Sequence, residues 1–600
     1  MAIPATAIPA IVFGSVNTAV NLFKVSISAY EIYTTANDLG KNSAIFQAQL
    51  FMQQKKLERW GRSLGLTGDG AELDERLTTD SGLFQAVTAG LSSIKLLLLD
   101  AETLGKKYGL EFSPEGDSSH LLSELAATDL LQSEALARAH QDRINELNKT
   151  QRRIRILKKL IWAISDMHKF TLLVGQLKTF IDELYSLVEP SQAKMLAKAV
   201  VAELLSTTEL AKVSIILEAA NTSGADEVAS SAALRYRALF VMQHLGTIRS
   251  MELPEQSKGL KLLDSAESGR RQIGTYLQSN SGEGESKELR VLIEWKTLRP
   301  DLSAKERELV GLRINYLSYF LRERKPGDLR ALDCIGTTTS SALSSADQTA
   351  YGLVFDVTRR HYVLNELPTT LYDLLDEVSS FEFDLGDKFK VARMLAESVY
   401  ELHLGNWLHK NICSDNVLFF SRTPRPRKVG GEVSVSSMVL SGYEFGRTGA
   451  LRDPTEGAGA SAHGNPYAHP RYRSRGIKYR RLFDIYSLGV VLLEIGLWQR
   501  VEFGIGADDS PEQARDMLLD SCEKELGPSM GKIYRDVVKC CLEGAFPVHG
   551  LGVDDELEVK WENLDPKEVA AMEAKDERMN AELAASFHWK VVRELGRLVA

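Results

Sequence analysis

The sequence predicts a multidomain protein, an all-α helical bundle at the N-terminus followed by an α+β domain. Three observations predict it. The chain has 600 residues, too many for a single hydrophobic core. Apolar residues recur at helical spacing from about residue 10 to 217, without strand-type alternation. From Leu289 onward, strand-like and helical stretches alternate. The expected organisation is a bundle over 1–217, a helical and flexible linker over 218–287, and the α+β domain over 288–600.

Composition narrows the function classes. Hydrophobic residues make up 44% and charged residues 26%, as in soluble globular proteins. A net charge of −9 over this length argues against a nucleic-acid binder. The five cysteines (Cys334, Cys413, Cys522, Cys540 and Cys541) show no paired metal-ligand spacing and read as reduced thiols. Residues 1–23 carry no charged side chain, yet contain Pro4, Pro9, Asn17 and Asn21. They lack the basic start of a signal peptide and read as a conditional membrane segment or a buried amphipathic helix. No other run reads as long and apolar enough to cross a membrane.

Three stripes define the bundle: Phe46, Leu50, Leu57 and Trp60; Leu83, Val87, Ile94 and Leu98; and Phe170, Leu173, Leu177, Ile181, Leu184 and Val188. Plain core packing accounts for each. Arg152, Arg153, Arg155, Lys158 and Lys159 form a dense basic cluster. Its plain reading is a solvated helix face. Its functional reading is contact with anionic lipid headgroups, at about 1 kcal/mol per basic residue.

The segment Trp162-Ala163-Ile164-Ser165-Asp166-Met167-His168-Lys169-Phe170 resembles the signature helix of the fungal HeLo domain. Leu57-Glu58-Arg59-Trp60-Gly61 and Phe13-Gly14-Ser15-Val16 resemble that family too. The resemblance implies a helical bundle of the heterokaryon-incompatibility and cell-death type. It further implies an N-terminal segment that can leave the bundle and enter membrane, and self-association through the bundle.

Asn221–Ser231 is small and polar, a helix is expected near Ala232–Leu245, and Ser279–Ser286 is linker-like. Strands are expected over Leu289–Trp295, Tyr351–Val357 and Val433–Leu440. Helices are expected over Ser303–Arg322, Phe389–His403 and Leu488–Leu497, the last so apolar that it must be buried on nearly all sides.

Within this domain, Leu408–Phe420 contains the frame His409-x-x-Ile412-x-x-x-Asn416 followed by an apolar strand. It resembles the catalytic loop of protein kinases. Asp484-Ile485-Tyr486-Ser487-Leu488-Gly489-Val490 is similar to the start of the buried helix in that family. The resemblance implies a bilobal kinase-like domain over 288–600, with His409, Asp484 and Gly489 in its structural core. It also implies a cofactor site of ATP and magnesium near Lys296, Asn416 and Glu444, with Glu306 or Glu308 as the partner of Lys296. The chain departs from the pattern at four places. Asn411, a neutral amide, stands where the catalytic carboxylate belongs. The metal-binding aspartate is replaced, by Glu444 in one register or by Gly442 in the other. No glycine-rich phosphate loop precedes residue 350, and Arg471 follows His469-Pro470 where a glutamate is expected.

No catalytic residue is therefore assigned, and ATP with magnesium is weakly supported. The expectation is a pseudokinase-regulated, membrane-engaging HeLo protein of fungal cell-death signalling, cytoplasmic and conditionally recruited to membrane. Residues 1–23 and the basic cluster at 152–159 would meet lipid, and no nucleic acid is involved. The alternatives are an atypical serine/threonine kinase and a non-catalytic signalling scaffold.

Overall fold

The computed structural model describes residues 8–34, 41–68, 73–114, 166–207, 209–243, 270–279, 286–297, 304–322, 325–340, 350–358, 383–420, 434–443, 465–473, 479–501, 510–548 and 565–598, with shorter pieces between them such as 150–152, 160–164, 259–263, 366–376 and 447–448. It divides into two compact units: Met1–Leu204 with Ser214–Ala229, and Leu205–Val213 with Ser230–Ala600.

The first unit contains α1 (Ile8–Thr34), α2 (Lys41–Ser63), α3 (Ser81–Leu99), α4 (Ala101–Tyr108), α5 (Met167–Ser186) and α6 (Pro190–Leu204). The three stripes form one core. Leu50, Leu57 and Trp60 of α2, Val87, Ile94 and Leu98 of α3, and Phe170, Leu177 and Ile181 of α5 are all buried in it. Phe46 meets Phe170 edge to face at 5.2 Å between ring centroids. Asp80 caps α3 by accepting from the backbone N–H groups of Gly82 and Leu83, and Asp166 caps α5 by accepting from that of Lys169. Each cap satisfies donors that a helix start leaves without intrahelical partners.

Two expectations for this unit change. The bundle is not wholly helical, because β1 (Leu110–Pro114) and β2 (Leu160–Ile164) pair antiparallel. Trp162, Ala163 and Ile164, expected at the start of a helix, lie in β2; the helix begins only after Asp166. Five apolar residues are too few for periodicity to separate strand from helix, and the pairing partner lies far off in sequence. The second change concerns α3. By length and composition it could cross a membrane, although no run beyond residue 23 was expected to. Core packing accounts for part of its apolarity: Val87, Leu91, Ile94 and Leu98 face the core, while the exposed side carries Leu96 and small residues such as Gly82, Ala86 and Ala89.

The second unit opens with a five-stranded antiparallel sheet: β3 (Leu260–Leu262), β4 (Arg271–Ser279), β5 (Ser286–Thr297), β6 (Asp333–Ser340) and β7 (Ala350–Asp356), in the order β3-β4-β5-β7-β6. Between β5 and β6 runs a helix, Ala304–Phe320, which buries Val310, Ile314, Leu317 and Phe320. Helices Leu385–Leu404 and Arg481–Leu497 follow, with the short strand Val417–Phe419 between Thr369–Thr370 and Val439–Leu440. Helix Arg481–Leu497 is buried along nearly its whole length, as its apolar run requires. A Cβ on Gly489 would stand 2.7 Å from Cys541 Cβ, so the close approach of helix Gly527–Glu543 depends on glycine there.

The stretch 218–287, expected as a helical and flexible linker, holds a helix, Asp226–Gln243, overlapping the one expected near Ala232–Leu245, but it also holds the strands β3 and β4, which were not expected. Hydrophobic patterning hides β4 because it buries polar residues, Gln272 and Thr275, beside Ile273. The strand expected over Val433–Leu440 is also shorter. Within it lie a 3-10 turn, Val435–Ser437, and a two-residue strand, Val439–Leu440. Ser437 causes the turn: its hydroxyl donates to Ser434 O at 2.6 Å and accepts from Phe420 N at 2.9 Å.

Candidate functional site

Helix Leu385–Leu404 ends at Gly405, and the chain turns through Asn406 and Lys410, both at positive φ (59° and 68°), into the 408–420 loop. Two residues in this rarely occupied region need outside support. Asp484 supplies it for the second. Its buried carboxylate accepts from the backbone N–H groups of His409 and Lys410, at 2.9 Å each, and from Tyr479 Oη at 2.8 Å. His403 Nε2 lies 3.2 Å away on the same carboxylate. Burial alone would raise the Asp484 pKa, but these partners outweigh it and the net shift is downward.

Burial lowers the His409 pKa to about 4, so its imidazole is neutral near pH 7. Nδ1 accepts from Asn411 N at 3.3 Å, which leaves Nε2 to donate to Ser441 O at 3.1 Å. The ring lies 4.4 Å from that of Tyr443. His409 is therefore a packed, neutral link between the loop and Ser441–Tyr443.

The cleft between sheet and loop is occupied by Arg271, a residue the sequence did not single out. It stands opposite Glu294 in the β4–β5 register. Arg271 Nε donates to Glu294 Oε1 at 3.0 Å, Nη1 to Asp415 O at 3.0 Å and Nη2 to Asn416 Oδ1 at 2.7 Å. Glu294, only 2% exposed, also accepts from Ser441 Oγ at 2.6 Å and from Gly442 N at 3.1 Å. Burial would raise the Glu294 pKa; the charges of Arg271 and Lys296 and the Ser441 hydroxyl bring it down to about 2. The carboxylate is thus ionised at any physiological pH.

Asn416 is engaged at both ends, since its Nδ2 donates to Asn411 O at 2.8 Å. Asn411 in turn donates from Nδ2 to Gly442 O at 3.3 Å. Gly442 has φ +73°, and a Cβ there would stand 2.0 Å from Asn416 Oδ1. Asn411, Asn416 and Gly442 therefore form a closed amide cluster against the Arg271–Glu294 pair.

The remaining sequence candidates are distributed around this cluster. Lys296, half-buried near the end of β5, lies close enough to act on the charge of both Glu294 and His409. Glu444 and the side chain of Glu306 lie outside the described residues, and Glu308 is exposed. The Asp415 carboxylate sits 3.8 Å from Arg270 and from Arg271. Loss of surrounding water pushes the Cys413 thiol up to about 12, so it is no thiolate nucleophile. Among the described residues no cluster of three or more His, Cys, Asp or Glu has metal-holding geometry.

In the first unit, residues 1–7 and the side chains of 8–16 lie outside the described residues. From there on α1 is seated in the core through Ala19, Phe23, Ala29, Tyr30 and Tyr33. The Phe23 ring packs against Gly61, where a Cβ would stand 2.1 Å from it. That contact gives the Leu57–Gly61 motif a physical basis. Leu57 and Trp60 are buried, Glu58 pairs with Lys55 at 2.8 Å, Arg59 pairs with Glu203 at 2.7 Å, and Gly61 admits Phe23. Asp166, Lys169 and Phe170 act as cap, cap-side ion pair at 3.5 Å and core anchor. The Tyr30 hydroxyl and the Trp60 indole N–H are buried and find no hydrogen-bond partner among the described residues. Of the basic cluster, Arg152 is exposed, while Arg153, Arg155, Lys158 and Lys159 lie outside the described residues.

Residues 10–216 match the HeLo family, described as prion-inhibition and propagation. The N-terminal helical unit is thus a HeLo-type region. The chain is 25% identical over 175 residues to heterokaryon incompatibility protein s of Podospora anserina, a match covering 29% of this chain and 57% of that protein. The chain thus spans a little over half the length of this curated relative.

Proposed function

We propose that this chain is a signalling protein of fungal heterokaryon incompatibility and cell death, in which a HeLo-type region engages membrane under control of a degenerate kinase-like domain. The family match over 10–216 and the relative's description support the first half of this reading. The second half draws support from the antiparallel sheet ordered β3-β4-β5-β7-β6, with a helix between its third and fourth strands. It draws further support from Asp484 holding the backbone of the 408–420 loop. The observation that carries the loss of catalysis is the amide cluster. Asn411 offers no carboxylate at the base position, and both polar atoms of Asn416 are spent inside the protein.

Residues 1–23 and the basic cluster at 152–159 are the proposed lipid contacts, and self-association of the bundle is the proposed active form. ATP binding at Lys296, Asn416 and Glu444 is disfavoured by the engagement of Asn416. The protein would be cytoplasmic until recruited.

Two measurements test the reading. Dye release from anionic liposomes is expected from the chain at activating density and is lost on removing residues 1–23; absence of release from both forms would overturn the membrane role. Phosphate transfer from ATP with magnesium is expected to be undetectable; transfer that disappears in Lys296→Ala would establish an atypical kinase instead.

A further inference from the structure

The guanidinium of Arg271 is surrounded by three oxygens of different origin: the Glu294 carboxylate, the Asn416 side-chain amide and the Asp415 backbone carbonyl, at 3.0, 2.7 and 3.0 Å. The first belongs to the sheet and the other two to the loop. Glu294 then reaches past Arg271 to Ser441 Oγ and the Gly442 N–H, on the far side of the loop. Five hydrogen bonds thus leave the sheet through two side chains: Arg271 makes two to the 408–420 loop and Glu294 makes three to Ser441 and Gly442, counting both Glu294 oxygens on Gly442, while a sixth joins Arg271 to Glu294. The arrangement is dry: the Arg271 and Glu294 side chains are 10% and 3% exposed. A planar guanidinium suits this role because its donors diverge in a fixed fork, which an ammonium cannot reproduce.

An oxygen cage of carboxylate, amide and carbonyl is also what a hard divalent cation would require. Here the cage is built around a cation that belongs to the chain. We propose that Arg271 is the resident cation of this cleft: it latches the sheet to the 408–420 loop and takes the oxygens a metal–nucleotide complex would need. Loading of a magnesium nucleotide is then not a switch for the second unit. The proposal rests on the kinase-like reading only for its choice of probe. Failure of the liposome experiment would leave it intact.

The test uses the full chain. Backbone amide exchange at Asn416 and Gly442 is followed by mass spectrometry, and thermal stability is read with magnesium alone, ATP alone and both. The wild type is expected to protect Gly442 and to show no thermal shift with any of the three. Arg271→Ala is expected to speed exchange at Gly442 by about tenfold or more, relative to the bundle peptides of α5, which serve as an internal fold control. Arg271→Lys is expected to behave like Arg271→Ala, since a single nitrogen cannot reach acceptors that are spread around the Nε, Nη1 and Nη2 corners of the guanidinium fork. Should Arg271→Ala fail to fold, Glu294→Gln gives the same readout with less loss of packing, and it too must speed Gly442 exchange. Thermal stabilisation of the wild type by ATP with magnesium, unchanged Gly442 exchange in both variants, or full rescue by lysine would each overturn the latch.

Discussion

The seat of α1 in the bundle and the cleft beside the 408–420 loop are both deeply buried, but they differ in what holds them. Around α1, contact is made by Phe23 on Gly61 and by the apolar bodies of Tyr30 and Trp60; Tyr33 Oη and Ser26 Oγ donate to Leu98 O and Leu91 O, while the Tyr30 hydroxyl and Trp60 N–H find no partner among the described residues. In the cleft, Arg271, Glu294 and Asn416 bond to one another and to the loop. Apolar contact is non-directional and tolerates repacking, whereas a saturated charged network admits one arrangement. The first region is held by area and carries an internal cost; the second is held by geometry. Removal of the Tyr30 hydroxyl and removal of the Glu294 carboxylate should therefore act with opposite sign.

The largest effect is expected in the cleft. Glu294→Leu leaves the Arg271 guanidinium buried without its carboxylate and should destabilise the second unit by about 3–5 kcal/mol. Denaturant unfolding, followed through exchange of β5 peptides, measures it. A loss under 1 kcal/mol would break the contrast, since it would make the network as forgiving as the apolar seat.

Acid provides the next test. The folded pKa of Glu294 is about 2, below its ordinary 4.5, so the stability it contributes is complete above pH 4.5 and is lost as pH falls toward 2. That shift is worth on the order of 3 kcal/mol. His409 acts in the same direction at higher pH. Its folded pKa is about 4 against an ordinary 6.5, so the unfolded chain binds the extra proton first, and stability falls as pH drops from 6.5 toward 4. The second unit should lose stability in two steps on acidification, read from unfolding midpoints across the pH series. In Glu294→Gln the lower step should shrink, leaving the part contributed by Asp484, whose pKa is also held down.

In the bundle, Gly61→Ala drives a methyl group into the Phe23 ring and should cost about 1–3 kcal/mol, seen as faster proteolysis and exchange within α1. The smallest effect has the opposite sign. Tyr30→Phe removes a buried hydroxyl that has no partner among the described residues and should stabilise the first unit by about 1 kcal/mol. On the proposed function it should also raise the protein density needed for liposome leakage. A destabilised Tyr30→Phe variant would mean the hydroxyl is not a cost, and the contrast would lose its sign.

The apolar skeleton of both units was legible in the sequence because it is written in local periodicity. The stripes through Trp60, Ile94 and Phe170 are buried as their spacing requires, and the apolar run Leu488–Leu497 lies within a buried helix. The loop residues His409, Asn411 and Asn416 were legible as a motif, although not the use to which their amides are put. Arg271 and Glu294 were not legible. Their meaning comes from a cross-strand register and from contacts to residues some 145 positions later. The Gly, Ser and Glu composition of 279–286, between β4 and β5, reads as linker and so conceals the strands on either side. A buried glutamate facing an arginine across a strand pair has no periodic signature; it is recognised only once the sheet is paired.

One contact also bears on the history of the chain. In the register that aligns Gly442 with the missing metal-binding aspartate, Gly442 adopts φ +73° and lies against the Asn416 side-chain oxygen. An aspartate at 442 would set a Cβ where Asn416 sits. On the kinase-like reading, restoring that aspartate by a single substitution is therefore sterically barred by Asn416. On the kinase-like reading, the site has passed through a ratchet: what began as loss of a catalytic group has become a structure that selection can refine but not readily undo.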